Sequence, residues 1–158
     1  DEVIVDYFEC LKIGESSQYQ SKWEMEGVAI RKLENLAKEL DVAMWVNTQG
    51  TKDSVASEVI NNDKIGGSVS KTQAAHVIVT ISRTLENVKN KIATIAITKN
   101  RYGACGMVWN NVKFDNATCT ISTDEAEEYE DMLSFHKKED EEEQELQKQI
   151  FRQTRDVI

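Results

Sequence analysis

Apolar residues fall along this chain in two rhythms that change near its middle. Val3, Ile4 and Val5 form a short unbroken run ending at Asp6, which predicts a strand buried on both faces with a carboxylate at its C-terminal end. Residues 10–21, containing Gly14 and the polar stretch Glu15-Ser16-Ser17-Gln18, predict a loop. The spacing then turns helical. Ala29, Leu33, Leu36, Ala37 and Leu40 make one apolar stripe and leave Arg31, Lys32, Glu34, Lys38 and Glu39 to face water, so a helix is expected over residues 22–40. Asp41 breaks that period, and Val42 to Val46 reads as a second buried strand finishing on Asn47-Thr48-Gln49-Gly50. Strand, helix, strand predicts a parallel βαβ unit.

From Thr51 to Thr72 the pattern dissolves into polar residues around Gly66-Gly67-Ser68, a long loop with room for one helical turn, and loops of that length in a compact domain are functional or disordered. Alternating and apolar runs resume at residues 75–82, 91–98, 107–114 and 118–122, predicting four strands that follow one another without helices. The connection Lys99-Asn100-Arg101-Tyr102-Gly103-Ala104 reads as a hairpin, so the architecture shifts from parallel α/β to an antiparallel extension. Ser122-Thr123-Asp124-Glu125 has capping-box spacing and predicts a helix running from there into the C-terminal tail. Met132, Leu133, Phe135, Leu146, Ile150 and Phe151 form two weak apolar patches, and Glu139 to Glu143 has no core face. That leaves a solvated, partly frayed helix or a docking segment for a partner. The division expected is a domain over residues 1–122 and a helical acidic tail over 123–158.

Charge sharpens that division. The 158 residues are 40% hydrophobic and 30% charged with a net charge of −9, a globular composition. Residues 1–122 carry 14 Lys and Arg against 15 Asp and Glu, whereas residues 123–158 carry 5 against 13. The body is neutral and the tail acidic, so nucleic-acid binding through a local basic loop is neither indicated nor excluded. No apolar run approaches the ~20 residues of a spanning helix, which argues against a membrane role. Cys10, Cys105 and Cys119 form no CxxC pair and are odd in number, which suggests buried free thiols in a reducing, cytoplasmic compartment; His76 and His136 are too few and too scattered for zinc. The chain begins with Asp1 rather than Met, and it is expected to be a piece of something longer.

Open α/β sheets bind ligands beyond the C-terminal ends of their parallel strands, and two polar residues fall there. Asp6 has the placement by which nucleotide-hydrolysing folds hold magnesium through a water, or it simply ends a strand. Gln49 offers an amide donor and a carbonyl acceptor suited to sensing a phosphate or orienting a water, or it is an ordinary loop-end hydrogen bonder. Lys99 and Arg101 alternate into the hairpin and project on one side, either toward an anion on a neighbouring subunit or as solubilising charges on an exposed edge.

Taken in order, Val3-Ile4-Val5-Asp6-Tyr7, the strand end Trp45-Val46-Asn47-Thr48-Gln49, Gly67-Ser68 ahead of Ala74-Ala75-His76-Val77-Ile78, and Ile97-Thr98-Lys99-Asn100-Arg101-Tyr102-Gly103 resemble the RecA-like motor of the DnaB family of replicative helicases, with phage-encoded members the nearest in look. The resemblance covers residues 2–122, roughly the second half of that motor. It implies an α/β RecA-like core and a ring-shaped, hexameric, ATP-dependent DNA helicase that uses Mg2+, translocates on single-stranded DNA and works in the cytoplasm of a bacterial or phage-infected cell. Asp6 then matches the Walker B residue supporting magnesium, and Gln49 the residue that senses nucleotide and couples it to DNA. Lys99 and Arg101 match the pair that reaches the phosphates of the neighbour's ATP. A cation supplied in trans stabilises charge on the transferring phosphoryl. Tyr102 is a candidate to stack on a nucleotide base, or it is simple packing beside the hairpin glycine.

The resemblance also makes the loop before Gly67-Ser68 the DNA-contacting loop. Lys64 stands where a basic residue is common, Gly66, Gly67 and Ser68 offer backbone N–H groups to phosphates, and Lys52 is a weaker candidate. Two departures limit the match. His76 stands where the family commonly has an aspartate, and no GxxxxGK[ST] phosphate loop occurs in these residues, so the isolated chain is expected to be inactive. The acidic tail is positioned for a helicase loader or primase. Two other readings stay open: a RecA or RadA-type recombinase or another RecA-fold ATPase, and a non-catalytic partner-binding module.

Overall fold

A computed structural model of the chain describes residues 1–11, 21–66, 69–123 and 129–155. The fold is mixed α/β, with a parallel two-stranded sheet followed by an antiparallel one. Strand β1 (Glu2–Val5) pairs in parallel with β2 (Ala43–Val46), with Ile4 opposite Trp45, and helix α1 (Lys22–Leu40) makes the crossover. The expected βαβ unit is therefore present. Its helix starts where a capping box closes: Ser21 Oγ accepts from the Glu24 N–H at 3.3 Å, and the Ser21 N–H donates to Glu24 Oε2 at 2.9 Å. It ends where Asp41 turns left-handed (φ 51°) and its N–H closes on Ala37 and Lys38 carbonyls.

The buried face of α1 is narrower than its apolar stripe. Glu26, Gly27 and Ala29 are buried, whereas Leu36 and Leu40, expected to face the core, are exposed. The reason lies in helix α2 (Val69–Ala74), which packs across the N-terminal half of α1, where Gly27 lets the Ser70 side chain approach. On the parallel pair, Ile4 is 63% and Trp45 52% exposed, although parallel sheets are ordinarily covered on both faces.

The second sheet has the order β3 (Val77–Ser82), β4 (Ile92–Asn100), β5 (Met107–Asp115), β6 (Thr120–Ser122), all antiparallel. The strands expected between residues 75 and 122 are present, but they do not follow one another without helices. Helix α3 (Leu85–Asn90) intervenes between β3 and β4, capped by the Thr84 hydroxyl accepting from the Asn87 N–H and ended by left-handed Lys91. The hairpin between β4 and β5 turns on Gly106 (φ 81°), whose N–H donates to the Ile97 carbonyl.

The core of this half joins Val59, Ala96, Val108 and Phe135, with Met132 against it. Phe135 belongs to α4 (Met132–Arg155), so the tail is helical and its first turns dock on the sheet. The helix does not start at the Ser122 capping box. Tyr129 is irregular, and a two-residue strand β7 (Glu130–Asp131) pairs with β5 before α4 begins. Pairing with Met107 and Val108 takes backbone that a helix from residue 123 would have used; Asp124 and Glu125 lie outside the described residues, as do Gly14 to Gln18 and the side chain of Phe151. Beyond its docked start, α4 exposes Leu146, which follows an acidic run, and Ile150, which stands among glutamines and basic residues. Cys10, Cys105 and Cys119 are free as expected but exposed, not buried, because each sits in a turn or connection rather than on a core-facing position. No described helix is long and apolar enough to cross a membrane.

Candidate functional site

The site grows out of the C-terminal ends of β1 and β2, where two chain segments leave the sheet side by side. Backbone pairing continues past the strands: the Asn47 N–H donates to Val5 O at 3.0 Å and the Phe8 N–H to Asn47 O at 2.8 Å. This carries Asp6 and Asn47 together, and Asn47 Nδ2 donates to Asp6 Oδ1 at 3.1 Å. Asp6 is exposed. An exposed carboxylate is an oxygen donor that a hard divalent cation such as Mg2+ could take. Among the described residues no group of three or more His, Cys, Asp and Glu is placed to hold a metal directly.

Gln49 follows two residues after Asn47 and is also exposed. Its backbone anchors the long loop: Gln49 O accepts from the Gly66 N–H at 2.8 Å, Gly50 bridges Ile65, and the Thr51 N–H donates to Lys64 O at 2.8 Å. The loop from residue 50 to 66 is thus closed at its base. It also carries buried Val59 and Ser54 and two 3-10 turns at Lys52–Ser54 and Asn62–Lys64, while Asn62 exchanges hydrogen bonds with Thr98 and the Ser82 hydroxyl donates to Glu58 O. Of the cations expected in it, Lys52 is exposed, whereas Lys64 is half-buried and donates to Ser57 Oγ at 2.8 Å. At Gly66 an added Cβ would stand 2.5 Å from Gln49 O, so close backbone approach explains that glycine. Gly67 and Ser68 lie outside the described residues.

Behind Asp6 and Gln49 sits a group that sequence reasoning missed. Lys71, on α2, is 5% exposed, and its ammonium donates to Glu9 Oε1 (2.9 Å), Gly66 O (3.0 Å) and Thr48 Oγ1 (3.3 Å). Glu26 Oε2 of α1 lies 3.4 Å away, and the ring of fully buried Phe8 centres 4.3 Å from the same nitrogen. Thr48 completes the circuit by donating to Glu9 Oε1 at 2.5 Å. One cation therefore joins the exits of both parallel strands, the crossover helix and the loop. Partial burial pushes the Glu9 carboxyl up, but the hydrogen bonds from Thr48 and Lys71 outweigh it and hold Glu9 below its ordinary value. Nothing local marks Lys71: it stands in a polar stretch, and its partners are distant in sequence.

Lys99 and Arg101 occupy a second location, at the other end of α2. Lys99 Nζ donates to the carbonyls of Thr72 (2.5 Å) and Gln73 (3.2 Å), and Arg101 Nη2 donates to the same Gln73 carbonyl at 2.6 Å. The two cations do project on one side, toward the C-terminal carbonyls of a helix. Burial, and then the neighbouring Arg101, lower the Lys99 pKa. Tyr102 is 77% exposed and meets His76 edge-on, with ring centroids 5.6 Å apart. Asp6 and Gln49 therefore share one edge with Lys71 behind them, while Lys99, Arg101 and Tyr102 cluster at the hairpin. No protein-family model matches the chain, and no curated protein matches it in sequence.

Proposed function

We propose that this chain is the second half of a RecA-like motor from a ring-shaped, ATP-dependent DNA helicase of the DnaB type. The observation that carries the reading is the juxtaposition of Asp6 and Asn47, with Gln49 two residues on, at the C-terminal ends of neighbouring parallel strands, tied by the Asn47–Asp6 hydrogen bond. That is where open α/β sheets place a nucleotide. The exposed Ile4 and Trp45 are in keeping with it, since a motor sheet of this kind carries cover from further segments.

On this reading Asp6 would hold Mg2+, and Gln49 would present its amide to the terminal phosphate. When bound with ATP, Mg2+ neutralises charge on the phosphates. Lys99 and Arg101 exchange the Gln73 carbonyl for the phosphates of a neighbouring subunit's ATP, a step that removes no buried ion pair. Tyr102, beside them and open to solvent, is available to that nucleotide's base. Lys52 is the loop cation most accessible to single-stranded DNA. The phosphate loop comes from outside these residues. The exposed length of α4, with Leu146 after its acidic run and Ile150 beyond it, is the surface for a loader or primase.

The test is ATP hydrolysis by the parent polypeptide with and without single-stranded DNA. DNA-stimulated turnover should fall ~10³-fold or more in Arg101→Ala and recover in part on mixing with Asp6→Asn subunits, which supply Arg101 in trans. Absence of turnover in the wild-type parent would leave a non-catalytic binding module.

A further inference from the structure

We infer that Lys71 is a positioning residue that couples the loop over residues 50–66 to the nucleotide edge, through Gly66 and Gln49 on one side and Thr48 and Glu9 on the other. The inference rests on the helicase reading above and adds the regulation of that same site. Four separate segments converge on one buried ammonium: the exit of β1 at Glu9, the exit of β2 at Thr48, the end of the loop at Gly66, and α1 at Glu26.

The path is a closed set of contacts. Gly66 donates its N–H to Gln49 O and gives its carbonyl to Lys71, so a shift of the loop end moves both the backbone of Gln49 and the ammonium. Lys71 in turn holds Glu9, and Glu9 follows Asp6 by three residues around buried Phe8. A hydrogen-bonded chain of this kind transmits displacement because no member shifts without unmaking a bond to its neighbour, and the bonds made by the ammonium are buried at that end. Water is largely excluded at the ammonium, so a lost partner there is not readily replaced. Neither Lys71 nor Thr48 is assigned contact with nucleotide or DNA; their effect runs through Gln49 and Asp6.

Two mild variants read this out in the full parent protein. Thr48→Val keeps the side-chain shape and removes the hydroxyl relay, and Glu9→Gln keeps the acceptor oxygen and removes the charge. Steady-state ATP hydrolysis is measured with and without a single-stranded oligonucleotide. Expected is DNA-free turnover within about twofold of wild type, with the DNA stimulation ratio reduced at least about fivefold, the lower end of ordinary coupling between sites. Wild-type stimulation retained in both variants, or DNA-free and DNA-stimulated rates falling in equal proportion, would make the network purely structural and overturn the inference while leaving the helicase reading intact. A wild-type parent with no DNA-stimulated turnover would overturn both.

Discussion

The two ends of the six-residue helix α2 carry cations in opposite circumstances. Lys71, within the helix, is enclosed and answers to two carboxylates, a hydroxyl and a carbonyl, all supplied by this chain. Arg101, at the C-terminal end, is exposed and shares one neutral carbonyl with Lys99. A buried ion held by charged partners is expensive to move, whereas one resting on a carbonyl beside water exchanges that partner readily. The difference assigns them different work. Lys71 fixes geometry; on the proposed reading Arg101 exchanges its carbonyl for a stronger anion, with Lys99 half-buried beside it.

The sharpest way to break this contrast is Lys71→Met, which removes the buried cation and takes from Glu26, itself 4% exposed, its buried partner while Lys22 stays 3.8 Å from its other oxygen. Loss of one member of a buried pair costs about 3–5 kcal/mol. Urea denaturation of the variant should show that loss as a fall in midpoint at unchanged slope. A variant as stable as wild type would mean that Lys71 is no more committed than Arg101. Next in size is Gly66→Ala. Its new methyl would meet the Gln49 carbonyl, a backbone atom that can retreat only by opening the Gly66–Gln49 bond, so a destabilisation of about 1–3 kcal/mol is expected in the same measurement.

How far the sequence spoke depends on whether the signal was local. Helix α1 was legible because its apolar stripe and its stop, Asp41, lie within a few residues of each other; the Ser21–Glu24 capping box at its start is shown by the structure. The strands of the second sheet were legible from runs of β-branched residues such as Ile95, Ile97, Val77 and Val79. Helix α3 was not, since six residues give no period, and its one signal was Thr84 as a cap. The start of α4 was misplaced because a local capping pattern at Ser122 competes with strand pairing between β7 and β5, a contact set by tertiary structure. The same limit hid Lys71. Glu9 lies 62 positions and Thr48 23 positions from it, so only the fold shows that a lysine in a polar loop is the most buried cation among the described residues.

Acid separates the two cation sites more gently. Glu9 is held below its ordinary value, so its contribution to stability is fully present above the unfolded carboxyl value of about 4.3 and is lost as pH falls through the lower folded value. Melting temperature followed from about pH 6 to about pH 3 should therefore fall more steeply for wild type than for Glu9→Gln, which has no proton to gain. Equal slopes would detach Glu9 from the Lys71 network.

The smallest effect belongs to Arg101→Ala, and its smallness is the point. The guanidinium is exposed, its Nη2 donates to the Gln73 carbonyl, and Lys99 remains to cover that carbonyl after the change. A surface substitution of this kind moves stability by no more than about 0.5 kcal/mol. The backbone bond from the Arg101 N–H to His76 O survives the substitution, so the hairpin keeps its register. Urea midpoints of wild type and Arg101→Ala should coincide within error, even though the same change is the one expected to abolish turnover in the assembled parent. A large loss of stability would place Arg101 beside Lys71 as a structural ion, and would take from the hairpin the freedom that a residue reaching across a subunit boundary requires.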